Sequence, residues 1–266
     1  MRGTQEPFYT LNVIDGIMSV SAVQKVAKQY QASITEYLNA VLLYSLLQKQ
    51  EHDFHLRLRP VRIAMPVNLR RFFPSKTLRN FITMVYPSID PRLGDYTFEE
   101  IVTQVHHYMR YYINSKFLRG DITTNASTQR NPLIRIVPLF LKDFVVRQFY
   151  QRVQDKNSSA GLTNMGAIRV PDDMKPYLER FDIYMGIPYS QRTNCAIVSF
   201  EDTLTVNFAS CIIEADVERR FFQKLVEDGI PVTIESNREL VIERAPFYCH
   251  ESKRSEIICH TVSTVG

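Results

Sequence analysis

Residues 158–170 read SSAGLTNMGAIRV, and the way this stretch is read decides the fold. Small residues, two glycines and alternating apolar positions predict a strand, lying late in a chain whose first half is otherwise rich in helices. Working outward, the two flanks must supply the partners of that strand. Upstream, VRIAMPVNLR places Val61, Ile63, Met65 and Val67 in alternation, and NFITMVYPSID predicts a second strand, ended by Pro87 and the turn-prone SIDPRLGD. Downstream, FDIYMGIPYS, NCAIVSFED and LTVNFASCII predict three more strands, the last two joined by a tight turn around Glu201 to Thr203. IPVTIES closes the set.

Helices fill the intervals. Ser19–Tyr30 and Ser33–Gln48 are consecutive, and the second opens SITE, where Ser33 caps and Glu36 reaches back. In it Ile34, Leu38, Val41, Leu42 and Ser45 trace one buried face. Thr97 and Glu100 repeat the capping box, so TFEEIVTQVHHYMRYYINSKF is one helix. After an irregular stretch, Asn131-Pro132 starts an apolar helix to about Gln151 that reads as the central buried one. Asp216–Asp228 is the last, ended by Gly229. This order of elements predicts an α/β or α+β fold with a mixed sheet flanked by helices.

Composition narrows the function classes. The chain of 266 residues is 45% hydrophobic and 23% charged, as a globular protein is. Its 32 basic and 28 acidic residues are scattered, which argues against a nucleic-acid partner. The four cysteines are too spread for a disulfide scaffold. The opening residues lack an apolar signal region, and PLIRIVPLFLKDFVV is interrupted by Arg135, Lys142 and Asp143, so no membrane span is expected and a cytoplasmic location is.

Adjacent histidines in QVHHYMRYY raise the question of a catalytic base. His106 falls on the flank of the apolar stripe and His107 points with Thr103, Arg110 and Asn114 toward solvent, with no acid close in sequence. Two mid-helix histidines that face different ways read as structural, since a base must be held against its substrate and oriented.

The strings SITEYLNAVLLYSL, AMPVNLRRFFP, RNFITMVYPSID, SAGLTNMGAIRVP and PVTIESNRE, in that order, resemble the C-terminal half of alcohol acetyltransferase-like proteins. These belong to the CoA-dependent acyltransferase superfamily, with chloramphenicol acetyltransferase and condensation domains. The resemblance runs from about Tyr9 to Glu239 and implies a C-terminal subdomain over residues 1–240, followed by a tail, 241–266, of uncertain order. Members have two similar halves meeting at a tunnel, and their first half carries HHxxxDG, whose second histidine deprotonates the acceptor. That motif is absent here, because Tyr-Met-Arg-Tyr-Tyr follows His106 and His107.

The resemblance implies acyl transfer from acyl-CoA, as co-substrate, to an alcohol or amine. It also implies inactivity without a half carrying HHxxxDG, and hence either a complementing half or a second copy as partner. The alternative is a non-enzymatic small-molecule-binding or scaffold homologue. Ser159, Thr163, Asn164 and Gly166 would lie at the junction of the halves, with Thr163 and Asn164 near the reacting atoms. A second interpretation has Gly161 and Gly166 marking a bulge whose polar neighbours merely cap it. Asn68 and Arg70 would position substrate or meet the cofactor, or else turn the chain and face solvent; Asn80 is equally ambiguous. Arg70, Arg71, Lys76 and Arg79 form a basic cluster suited to CoA phosphates. In the tail, Cys249-His250 and Cys259-His260 are zinc-type ligands, but adjacent ligand pairs are awkward for a tetrahedral site.

Overall fold

The computed structural model describes residues 3–7, 10–53, 58–130, 158–187 and 191–238. The helix expected from Asn131, and the tail with its Cys-His pairs, lie outside them. One eight-stranded mixed sheet organises the chain, in the order β3-β2-β5-β6-β7-β1-β8, with β4 also paired to β2. The strands are β1 Asn12–Ser19, β2 Val61–Asn68, β3 Ile82–Val85, β4 Ser88–Ile89, β5 Ala160–Ala167, β6 Thr193–Phe200, β7 Thr203–Ser210 and β8 Thr233–Ser236. The predicted central strand is therefore present as β5. It runs parallel to both neighbours, β2 and β6, while β6-β7, β7-β1, β1-β8 and β2-β3 are antiparallel.

The helices are α1 Val20–Gln29, α2 Ile34–His52, α3 Phe98–Tyr112, α4 Ser115–Arg130 and α5 Asp216–Glu227. Ser19 caps α1, and both expected capping boxes close, Ser33 with Glu36 and Thr97 with Glu100. A buried cluster joins α1, α2, α3 and α5 to the inward residues of the sheet, among them Ile63, Leu162, Ile197, Val206 and Phe208. The most enclosed described helix is α2. Tyr37 through Leu43 are all at most 0% exposed, so it packs on several sides rather than through one face. Helices around it and β2 beneath it remove the need for a polar surface.

Three expectations need correction. FDIYMGIPYS is not a strand: over 181–187 the chain is irregular. It lies against the sheet through side chains, since Thr205 Oγ1 donates to the Phe181 carbonyl (2.7 Å) and Asn194 Nδ2 to the Gly186 carbonyl (2.9 Å). Asn207 Oδ1 in turn accepts from the Ile183 amide at 3.3 Å. These bonds satisfy the backbone without a ladder. The helix expected over 97–117 breaks at Asn114, whose Oδ1 accepts from the amides of Lys116 (3.0 Å) and Phe117 (2.9 Å) and starts α4 where an irregular stretch was expected. NFITMVYPSID divides into β3 and β4, which pair with opposite ends of β2.

Sequence reading also missed β1, which sits between β7 and β8. A Cβ on Gly16 would meet Phe222 Cε1 at 2.1 Å, so the glycine admits that ring against the sheet.

Candidate functional site

The parallel strands β2 and β5 stay together for two residue pairs, Ile63 with Ala160 and Ala64 with Gly161. Beyond them β2 turns to β3, and β5 continues along β6. The carboxyl ends of two parallel strands are thus separated, forming a fork. Burial along β5 records the change: Ala160, Gly161 and Leu162 are buried, whereas Thr163 to Ala167 are half-buried or exposed.

Asn164 is the best-anchored polar residue at the fork. Its Nδ2 donates to Thr35 Oγ1 on α2 (2.8 Å), and its Oδ1 accepts from the Gly166 amide (2.8 Å). Gly166 has φ +77°, and the register with β6 shifts between Asn164 and Ala167. That is a bulge with a left-handed glycine, capped by Asn164. The bulge interpretation and a site at this position are compatible, because the same bulge fixes the asparagine and ends the buried part of the strand. Thr163 lies on the opposite sheet face from Leu162 and Asn164, half-buried, and no other described residue hydrogen-bonds its hydroxyl.

Gly161 permits a second close approach. Its amide donates to Asn194 Oδ1 (2.9 Å), and a Cβ there would stand 2.7 Å from the same atom. Ser159 is at the other end of the strand: its amide donates to the Arg62 carbonyl (2.7 Å) and its hydroxyl accepts from the Arg62 amide (3.3 Å). Five residues of strand, about 16 Å, separate it from Asn164. The structure therefore does not bring Ser159 together with Asn164.

On the other prong, Asn68 is exposed and caps a short 3-10 turn, accepting from the Arg70 amide at 3.0 Å. Arg70 is also exposed; its Nη2 donates to the carbonyls of Thr77 (2.8 Å) and Arg79 (2.7 Å), clasping the loop that holds the basic cluster. Asn80 is exposed in that loop. Apolar side chains stand in solvent at this end of the sheet, with Met165 61%, Ile82 48% and Met84 37% exposed.

The histidine pair lies elsewhere. His106 Nδ1 is 3.3 Å from Glu36 Oε2, which also accepts from the Ser33 amide (2.7 Å), while Arg110 Nε lies 3.8 Å from Glu36 Oε1. Burial pushes the Glu36 carboxyl up, but hydrogen bonds from Ser33 and His106 outweigh it and hold the group below its ordinary range. His107 is exposed and meets His106 only edge-on. Among the described residues, no three His, Cys, Asp or Glu side chains gather as a metal site, and no helix is long and apolar enough to cross a membrane.

Sequence reasoning missed a buried polar group on β1, three strands along the sheet from β5. Asp15 accepts from Asn207 Nδ2 (2.8 Å) and from the Tyr184 hydroxyl (2.8 Å). Burial raises its pKa against the pull of those bonds. Its signal was the polar residue inside a strand-like run, unreadable while the strand itself was unrecognised.

No protein-family model and no curated protein matches the sequence. Solved structures do match in shape. Trichothecene 15-O-acetyltransferase from Fusarium sporotrichioides superposes with TM-score 0.53 and 15% identity over 86% of this chain and 48% of that one. The epimerization domain from the third module of tyrocidine synthetase B gives TM-score 0.50 and 9% identity over 86% of this chain and 49% of that one. The fold is therefore one shared with these acetyltransferase and epimerization-domain structures. The chain spans about half the length of each of these two solved chains.

Proposed function

We propose that this chain is the C-terminal half of an acyltransferase that moves an acyl group from acyl-CoA to an alcohol or amine. The observation that carries this reading is the β2–β5 fork. Ligands of sheets with parallel strands settle beyond the carboxyl ends, where neighbouring strands part company. There Asn164 is fixed by two hydrogen bonds and Thr163 has a hydroxyl with no described partner. Each is a donor of the kind that steadies a tetrahedral oxyanion, and because they point to opposite faces of the sheet one of the two serves that role. The basic loop after β2 suits the phosphates of CoA. The base comes from a complementing half bearing HHxxxDG, which also covers Met165, Ile82 and Met84.

His106 is not that base in this reading, since Glu36 holds it at the start of α2. Free-thiol release from acetyl-CoA in the presence of an alcohol tests the proposal. The chain alone should release none above background, and adding an HHxxxDG-bearing half should restore it. A non-enzymatic scaffold or binding homologue would bind the half and remain silent.

A further inference from the structure

Asn39 lies in α2, fully buried, with its side-chain amide only half satisfied. Its Nδ2 donates to the Thr35 carbonyl (3.1 Å) and reaches Met65 Sδ (3.3 Å), while its Oδ1 has no partner. Buried acceptors are nearly always paired, and an orphan weakens the folded state. The position of this one matters. Met65 is the first β2 residue past the last pair with β5, and Thr35 is where Asn164 arrives from β5. Asn39 therefore sits beneath the point where the strands part, touching one prong and bonded to the residue that receives the other.

We propose that Asn39 is a ligand-binding residue whose Oδ1 accepts a hydrogen bond from a neutral N–H or O–H group of a ligand entering the fork past Thr35 and Asn164. The chemical class follows from the acceptor. A bare amide oxygen repels an anion, and it offers too little charge to compensate a buried cation for its lost hydration. A secondary amide or a hydroxyl loses far less and supplies the missing donor. The flexible Met65 side chain beside the amide can move aside for such a group. The orphan is then a cost carried by the free protein and relieved on binding. This inference rests on the acyl-transfer reading, in which two ligands carry such donors: the pantetheine arm of CoA and the acceptor alcohol.

The test is the affinity of the full 266-residue chain for acetyl-CoA, pantetheine and 1-butanol, read as ligand-induced shifts in melting temperature. Asn39→Leu removes the acceptor while keeping the volume. It should melt, unliganded, at or above the wild-type temperature, and bind at least one probe about tenfold more weakly. Weakened pantetheine identifies the donor arm as the partner, and weakened butanol alone identifies the acceptor. Unchanged affinity for all three overturns the proposal and marks the amide as structural or water-bound, leaving acyl transfer intact. If Asn39→Leu does not fold, Asn39→Ala makes the same comparison. A wild-type chain that binds no probe removes the acyl-transfer reading and this inference with it.

Discussion

His106 Nδ1 stands 3.3 Å from Glu36 Oε2, although 70 residues separate them in sequence. The contact joins α3 to the capping box that starts α2, and α2 carries the buried side chains on which the sheet packs. A histidine pair that suggests a catalytic base is thus divided between a tether and a solvated neighbour.

His106→Ala should lower stability by about 1 kcal/mol, the usual worth of one hydrogen bond. It should leave acyl transfer by the complemented protein unchanged. Denaturant unfolding and a thiol-release assay check the two halves of this statement.

Glu36 supplies a pH dependence whose sign follows from its lowered pKa. The folded state favours the carboxylate more than the unfolded chain does. Its contribution is therefore complete above the ordinary carboxylate pKa and disappears as pH falls through the lower folded value. Glu36→Gln should be less stable than wild type at pH 7, and the difference should shrink on acidification toward pH 3. Urea midpoints at the two pH values measure it.

Glu218 has the opposite sign. It is buried at 1% exposure, Thr193 Oγ1 donates to its Oε1 (3.2 Å), and its Oε2 has no described partner. Burial raises its pKa, so the folded state holds the proton more tightly than the unfolded chain. Stability is fullest below the ordinary carboxylate pKa and falls as pH rises toward the folded value. Glu218→Gln should remove this loss and raise the melting temperature at neutral pH relative to wild type, with little effect near pH 4. Calorimetric scans across pH 4–8 decide it.

Gly16→Ala should be among the costliest single methyl additions, because the new Cβ falls within the Phe222 ring. A loss of roughly 1–3 kcal/mol is expected from such overpacking. Combining it with Phe222→Leu should return part of that loss, a non-additivity that confirms the contact.

Arg70→Ala should loosen the loop between the 3-10 turn after β2 and β3 without unfolding the sheet, since both carbonyls it clasps belong to that exposed loop. Limited proteolysis should cut within residues 72–81 faster than in wild type, while the global melting temperature moves little. If CoA phosphates also meet this loop, affinity for acetyl-CoA falls with the same substitution, and affinity for pantetheine does not.

Much of the fold was legible because its signals are local. Ser33 with Glu36 and Thr97 with Glu100 announce helix starts through residues three apart, and the alternation in VRIAMPVNLR belongs to one strand. What escaped depends on partners distant in sequence. In β1 the Asp15-Gly16 pair carries a turn signature, and only Asn207, Tyr184 and Phe222 make a strand of it. FDIYMGIPYS has strand-like composition, but side chains of β6 and β7 take the bonds a ladder would have used. At the site, glycines and polar residues marked β5 as unusual, whereas the parting of β2 from β5 and the contact of Asn164 with Thr35 are tertiary facts. Asn39 carried no signal at all, since an asparagine inside an apolar helix shows its unpaired oxygen only once its surroundings are assembled.

The central claim is that the carboxyl end of β5 faces the reacting atoms of an acyl transfer. The most direct measurement is the turnover of acetyl-CoA by this chain complemented with an HHxxxDG-bearing half, comparing wild type with Thr163→Ala and Asn164→Ala. The account predicts transfer by wild type and a fall in kcat of about 10²-fold or more when the oxyanion donor is removed, with KM little changed. Transfer at the wild-type rate by both variants would contradict it.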